Sequence, residues 1–201
     1  MTSRSCRSPR STPFLFALGA LALCATWLAG EAAASTVRAL SLQALTEKAE
    51  LIVVGTALEA KTRHALDGKL LVTDVRVRVE RVLLGAAKPD QPLVVTLLGG
   101  EQGGVQLNVP GEASLPLGKR ALLFLYRAPK SADLRVVGMS QGVMPIEQKP
   151  DGTTMVIPGG AGGALVDRGS DGKLHPAPAA LMQPEPMDAL LARVERLVAA
   201  Q

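Results

Sequence analysis

The chain has 201 residues, a formal net charge of +4, 47% hydrophobic residues and only 2% aromatic residues. That length and apolar fraction suffice for one domain with a sizeable core. No stretch collects the dense lysine and arginine that phosphate contacts require, and the few aromatics offer no stacking platform, so the composition argues against a nucleic acid partner.

The first 34 residues have the pattern of a secretory signal. Three arginines lie within the first ten residues, an apolar run follows at 14–30, and alanines occupy positions 32–34. A positive segment, an apolar segment and a small-residue cleavage site, in that order, are typical of a Sec signal peptide. We expect cleavage between Ala34 and Ser35, and a secreted or periplasmic protein.

Two alternatives stay open for this segment. Cys24 ends a Leu-Ala-Leu-Cys run similar to the lipobox of bacterial lipoproteins, although leucine stands where a small residue is expected. The segment would otherwise serve as an uncleaved anchor, and membrane association would depend on one of these two routes. Removal of residues 1–34 takes away three arginines, one glutamate and both cysteines, which leaves a net charge of +2 and no possible disulfide.

The clearest structural signal is the run Leu70–Leu84. Val75, Val77 and Val79 alternate with charged residues, and alternate side chains of a strand point to opposite faces, so the valines are predicted to be buried. The opposite face carries Asp74, Arg76, Arg78 and Glu80. The alternation slips at residues 81–82, which predicts a bulge and suits a long strand that bends within a small barrel.

The other elements predict a mainly β protein flanked by two helices. A short N-terminal helix is predicted at 41–49 with Ser41 as its N-cap, and an amphipathic C-terminal helix at 187–200. Further strands are predicted at 51–58, 93–98, 121–126, 134–139 and 143–146, and Asp67-Gly68 predicts a hairpin turn. Weak hairpin signals at 151–152 and 171–172 precede a Pro-rich stretch at 176–186.

Three of these strands resemble those of netrin-like domains, the family that includes tissue inhibitors of metalloproteinases. Residues 49–55 (AELIVVG) resemble the opening strand, residues 75–85 (VRVRVERVLLG) the second, and residues 117–125 (LGKRALLFL) a later one. The chain also resembles uncharacterised secreted bacterial proteins built on this plan. The resemblance implies a small OB-like antiparallel barrel. Netrin-like inhibitors bind zinc through an N-terminal cysteine, which a chain beginning at Ser35 lacks, so only the barrel is carried over.

The predicted organisation therefore has four parts. A signal peptide occupies 1–34, the OB-like barrel domain 35–147, a hairpin and Gly/Pro-rich extension 148–186, and the C-terminal helix 187–201.

The Gly-rich connection at 99–111 is the candidate binding segment. No helix start or Lys-Ser/Thr pair follows its glycines, so it lacks half of a phosphate site. Two interpretations stay open: a mobile barrel loop, or a loop that binds a partner as OB folds do. The candidate partner-binding residues are Gly99, Gly100, Glu101, Gln102, Gly103 and Gly104, together with Arg76 and Arg78 of the charged strand face.

No catalytic or metal-binding set stands out. His64 and His175 have no further ligands near them in the sequence, the DRGSDG motif at 167–172 lacks the ligands of a calcium loop, and no nucleophile elbow frames a serine. We expect no cofactor, no metal and no enzymatic activity. The favoured interpretation is a non-catalytic exported binding or structural module whose partner is another secreted or envelope protein, such as a secreted protease. The alternatives are an envelope-anchored lipoprotein of structural role and a hydrolase with an unrecognised site.

Overall fold

The computed structural model of the protein is mainly β, with thirteen strands and two α-helices among the residues that it describes. Those residues are 36–65, 68–129, 131–160, 164–177 and 183–201. The predicted signal peptide with Cys24, the junction of Ala34 and Ser35, and Asp67 of the predicted turn lie outside them, as do parts of the Gly/Pro-rich extension.

The elements follow one another closely along the chain. The two α-helices are α1 (Leu42–Lys48) and α2 (Met187–Ala199), and a short 3-10 helix spans Met139–Gly142. The strands are β1 (Thr36–Arg38), β2 (Leu51–Ala65), β3 (Leu70–Leu84), β4 (Pro92–Leu98), β5 (Gly100–Gln102), β6 (Val105–Leu107), β7 (Arg120–Arg127), β8 (Leu134–Val136), β9 (Val143–Gln148), β10 (Thr154–Val156), β11 (Ala164–Arg168), β12 (Leu174–Pro176) and β13 (Glu185–Pro186).

Eight strands share one sheet in the order β13-β10-β9-β7-β2-β3-β4-β8. Strands β2, β3 and β4 form an antiparallel meander, and β7 pairs antiparallel with both β2 and β8. Strand β8 also pairs in parallel with β4, at Leu134 and Val95. The pairings therefore run from β2 through β3, β4, β8 and β7 and return to β2. Two small sheets, β1-β11-β12 and β5-β6, accompany the large one.

The long strand β3 has the burial that its alternation predicts. Val75, Val77 and Val79 are buried, and Arg76 and Arg78 are exposed on the other face. The pairing of β2 with β3 shifts register between Val54 and Gly55 and again between Ile52 and Val53, opposite residues 79–84. The predicted irregularity near residue 81 is therefore present, as two bulges rather than one.

The sheet separates two apolar cores. One lies on the side of Val53, Val77 and Leu123, and the other on the side of Ile52, Val54 and Phe124. Both helices cover the second core, through Leu42 and Leu45 of α1 and Leu190, Leu191 and Val194 of α2. Strands β2 and β7 are thus buried on both faces, which explains why residues 51–57 and 121–125 read as nearly continuous apolar runs.

Both predicted helices are confirmed. Ser41 caps α1, because its side chain accepts a hydrogen bond from the Ala44 amide at 3.2 Å. Helix α2 begins at Met187 as predicted, with Asp188 in its first turn and Arg196 in its last, where each charge is favourable to the helix dipole.

Three predicted segments differ from the structure. The strand predicted at 51–58 continues to Ala65, because it pairs with the first half of β3. The strand predicted at 134–139 ends at Val136, because Gly138 and Met139 adopt positive φ angles of 65° and 59°. The Gly-rich connection is not an irregular loop throughout, since β5 and β6 form a hairpin within it.

Candidate partner-binding site at the Gly-rich hairpin

Residues 99–107, which we call the Gly-rich hairpin, fold back on themselves through a two-residue turn. Gly100 pairs with Leu107 and Gln102 with Val105, so Gly103 and Gly104 form the turn, with φ angles of 61° and 77°. Two positive φ angles in succession are what a tight hairpin of this length needs, and glycine adopts them without a steric penalty. Residues 101–106 are exposed, and Val105 leaves 58% of its surface open to solvent.

The base of the hairpin is held by two threonines of strands β2 and β3. The Gly99 amide donates to the Leu71 carbonyl at 2.8 Å, and the Thr73 hydroxyl donates to the Gly99 carbonyl at 2.8 Å. The hydroxyls of Thr62 and Thr73 lie 3.1 Å apart. A Cβ on Gly100 would meet both hydroxyls, so only glycine allows this close approach. The hairpin therefore has a fixed base and an exposed tip.

A cavity of about 400 Å³ lies beside this base and is lined by residues of β2, β3 and β4. Its apolar wall includes Val75, Leu97, Leu107 and Leu115, and its polar lining includes Thr73, Asn108, Gln106 and Glu112. Polar and apolar groups contribute equally to this lining, and the converging polar groups make the hollow a candidate binding pocket.

Glu112 is the one carboxylate among the residues that line this cavity. It accepts a hydrogen bond from the Ala113 amide at 3.1 Å, and the Leu98 amide also donates to it. Burial raises the pKa of Glu112 despite these two donors and the charge of Arg135. In the described part of the chain, none of the seven ion pairs within 4.0 Å includes Glu112.

The predicted site residues divide between two surfaces. Gly99 and Gly100 line the cavity, whereas residues 101–104 form the exposed strand and turn of the Gly-rich hairpin. Arg76 and Arg78 lie on the opposite face of β3 from Thr73 and Val75, because side chains alternate along a strand. The structure therefore does not bring the two arginines together with the hairpin.

The charged face of β3 is occupied by ion pairs within the chain. Arg76 lies 3.2 Å from Glu59, and Arg63 lies 2.6 Å from Asp74 on the neighbouring strands. Burial alone would raise the pKa of Asp74, but hydrogen bonds from Arg63 and Thr96 outweigh it and lower the pKa.

Glu80 repeats this arrangement at the far end of β3. It accepts from Thr56 at 2.5 Å and from Arg120 at 2.9 Å. Burial would raise its pKa, but these two hydrogen bonds, with the charges of Arg120 and Arg78, lower it. Since Asp74, Arg76 and Glu80 each have a charged partner within the chain, the face is typical of a solvated sheet surface.

Neither histidine joins the cavity. His64 is exposed on β2, and His175 on β12 places its Nε2 3.0 Å from the Asp171 carboxylate at the surface. No group of three or more His, Cys, Asp or Glu residues in the described part of the chain is arranged to hold a metal ion.

Sequence reasoning did not single out Glu112. It lies in the segment that follows the Gly-rich hairpin, between Gly111 and the buried Ala113. The sequence does contain a pattern that could have indicated Glu112: it directly precedes Ala113 and Leu115, two alternating apolar residues of the core. A glutamate in that position lies at the edge of the core, where its charge is partly desolvated.

A second cavity, of about 480 Å³, lies where β7 and β9 meet the segment 114–116. Its charged lining residues are Lys119, Arg120 and Glu147, and Arg120 is paired with Glu80. None of the predicted site residues is among the residues that line this second cavity.

The chain matches no protein-family model, and no curated protein matches it either. Among the described residues, no helix is long and apolar enough to cross a bilayer.

Proposed function

We propose that this chain is an exported, non-catalytic protein-binding module built on an OB-like barrel of the netrin-like kind, without the cysteines of that family. The barrel assignment is supported by the five strands β2, β3, β4, β8 and β7, whose pairings return to their starting strand. The connection that crosses from β4 to β7 and the parallel pairing of β8 with β4 suit the five-stranded Greek-key barrel of OB folds.

The partner site in this proposal is the Gly-rich hairpin with the adjoining rim. The single observation that carries it is the combination of a base fixed by Thr62 and Thr73 with an exposed tip that displays Val105. A preorganised tip loses little conformational entropy on binding, which is the usual advantage of a rigidly held recognition loop.

The remaining parts of the proposal rest on the sequence. Export rests on the segment 1–34, and the absence of catalysis on the lack of any nucleophile or acid–base motif. The partner is a protein of the same compartment. Two secondary candidates lie on a separate surface, the exposed face of β3. They are Arg76, which pairs with Glu59, and Arg78, whose charge acts on Glu80.

Site-specific photo-crosslinking in the native host tests the hairpin. A photoreactive amino acid is placed at Val105 or, as a matched control, at Leu174, since both side chains are 58% exposed and each lies on a hairpin strand. We expect one discrete protein adduct at Val105 and none at Leu174. The partner so identified should then bind the purified parent chain directly and lose binding to Val105→Asp but not to Leu174→Asp.

The opposite pattern would refute the proposal. Equal adducts at the two positions, or unchanged affinity of the identified partner for Val105→Asp, would mean that the hairpin tip is not the recognition surface.

A further inference from the structure

One pairing in the series that runs through β2, β3, β4, β8 and β7 is much shorter than the others. Strand β4 pairs with β3 along its whole length, from Pro92 to Leu98, whereas it pairs with β8 only where Val95 lies opposite Leu134. We call this single pairing the β4–β8 seam. Because each further residue pair of a ladder adds stabilising hydrogen bonds, the seam is the pairing of this series that the fewest hydrogen bonds hold.

The backbone of β8 divides its hydrogen bonds between two neighbouring strands. The Asp133 carbonyl, directly before β8, accepts from the Ala128 amide at 2.9 Å, on the side of β7. Successive residues of a strand direct their backbone groups to opposite sides. Arg135 therefore also faces β7, where it pairs with Tyr126, and Leu134 faces β4.

The backbone of β4 divides in the same way. The Gly99 amide donates to the Leu71 carbonyl of β3 at 2.8 Å, so Val95, four residues earlier, also faces β3 and Thr96 faces β8. In a parallel pair, a residue bonds to the two neighbours of the residue opposite it. The Thr96 amide is therefore the donor of β4 at the seam, and the Leu134 amide is the donor of β8.

Side-chain contacts hold β4 to β3 more firmly than they hold β8 to β4. The Thr96 hydroxyl donates to Asp74 of β3 at 2.8 Å, and Asp74 also accepts two hydrogen bonds from Arg63 of β2. Towards β8, the same Arg63 lies 3.6 Å from the Asp133 carboxylate. A cavity of about 250 Å³ adjoins these groups and Leu134. The network therefore anchors β4 to β3 and leaves β8 with one longer ionic contact.

We propose that the protein has a locally open state in which β8 separates from β4 at the seam but remains paired with β7, and that the Arg63–Asp133 pair opposes this opening. Leu134 is half-buried, so its separation exposes little apolar surface, and Val136 stays opposite Leu125 of β7. The open state presents an unpaired edge of β4. This inference goes beyond the proposed function, because it concerns a motion within the sheet and requires no partner.

Native-state hydrogen exchange in increasing, sub-denaturing urea tests the opening on neighbouring amides. On β4, the Thr96 amide should exchange at least about tenfold faster than the Val95 amide after correction for intrinsic rates, and almost independently of urea, because local opening exposes little surface. On β8, the Leu134 amide should differ from the Arg135 amide in the same way. Equal protection and equal urea dependence within each pair would overturn the proposal.

Asp133→Asn tests what holds the seam closed. It removes the charge that faces Arg63, so the amides of Thr96 and Leu134 should exchange about 1.5- to fivefold faster than in the parent, as expected for loss of an exposed ion pair.

Glu59→Gln is the matched control, because it removes a charge from another exposed pair of the sheet, with Arg76 at 3.2 Å between β2 and β3. This variant should leave the exchange rates of Thr96 and Leu134 unchanged. Unchanged rates in Asp133→Asn, or equal acceleration in the two variants, would refute the role given to the Arg63–Asp133 pair and with it the proposal.

Discussion

The fixed base of the Gly-rich hairpin gives a prediction that two alanine substitutions can separate. Gly100 has a φ of 135° and would place a Cβ against the Thr73 hydroxyl and 2.6 Å from that of Thr62. Gly103 has a φ of 61°, and a Cβ there would meet nothing within 4 Å. Gly100→Ala should therefore destabilise the fold much more than Gly103→Ala, although both lie in one hairpin.

The magnitudes follow from backbone strain and hydrogen bonds. A left-handed alanine at position 103 costs about 1–2 kcal/mol, of which about 0.4–1 kcal/mol is offset by the lower entropy of the unfolded chain, so the net loss is about 0–1.6 kcal/mol. At Gly100 the φ region costs about 1–3 kcal/mol, and displacing Thr62 and Thr73 sacrifices two hydrogen bonds of about 0.5–1.5 kcal/mol each. We expect a total loss of about 2–6 kcal/mol before the same unfolded-chain offset of about 0.4–1 kcal/mol.

Urea denaturation followed by far-UV circular dichroism measures both losses. Tryptophan fluorescence is not a suitable signal, because the one Trp, at position 27, lies within the predicted signal peptide. Tyr126 is the one tyrosine. Hydrogen exchange at the Gly99 amide, which donates to Leu71, should accelerate in Gly100→Ala only. Equal stability losses for the two variants would mean that the threonines do not hold the hairpin. The same conclusion would follow if the gap in stability between Gly100→Ala and Gly103→Ala stayed unchanged when both were made in a Thr73→Val background.

Two further predictions concern the charged face and the N-terminus. Because its pKa is lowered in the folded state, ionised Asp74 stabilises the fold above the unfolded pKa of about 3.9, and this contribution disappears as pH falls through the lower folded value. Asp74→Asn should therefore melt below the parent at pH 7 and converge with it in acid, as thermal melts across pH would record; a constant difference would contradict this. The intact mass of the protein from its native host should correspond to a chain beginning at Ser35, whereas a lipid-modified mass beginning at Cys24 would establish the lipoprotein alternative.

The parts of the fold that follow from local periodicity could be predicted from the sequence. Val75, Val77 and Val79 set the face of β3, and the change of phase near residue 81 corresponds to the bulges opposite Val53 and Gly55. The two helices were predictable for the same reason, since an apolar stripe lies within each segment itself and Ser41 caps the first of them.

The parts that were missed depend on distant partners. The second half of β2 is polar, with Lys61, Arg63 and His64, and it forms a strand because β3 lies beside it and Asp74 binds Arg63. The Gly-rich hairpin likewise depends on Thr73, more than twenty residues earlier in the chain, which no local glycine pattern indicates. The sequence pointed to the glycines of this segment as a candidate site, whereas the cavity beside the hairpin could be seen only in the fold.

Three partly buried carboxylates of the protein, Asp74, Glu80 and Glu112, differ in the direction of their pKa shifts, which bears on whether Glu112 serves the fold or a binding partner. The pKa values of Asp74 and Glu80 are lowered, so their negative charge stabilises the folded chain, whereas the raised pKa of Glu112 means that its charge opposes folding at neutral pH. Glutamine keeps an oxygen that accepts from the Ala113 amide and removes the desolvated charge, so Glu112→Gln should be at least as stable as the parent. A residue that reduces stability where an uncharged isostere would not is better explained by a binding partner than by the fold, since stability is commonly sacrificed at functional sites.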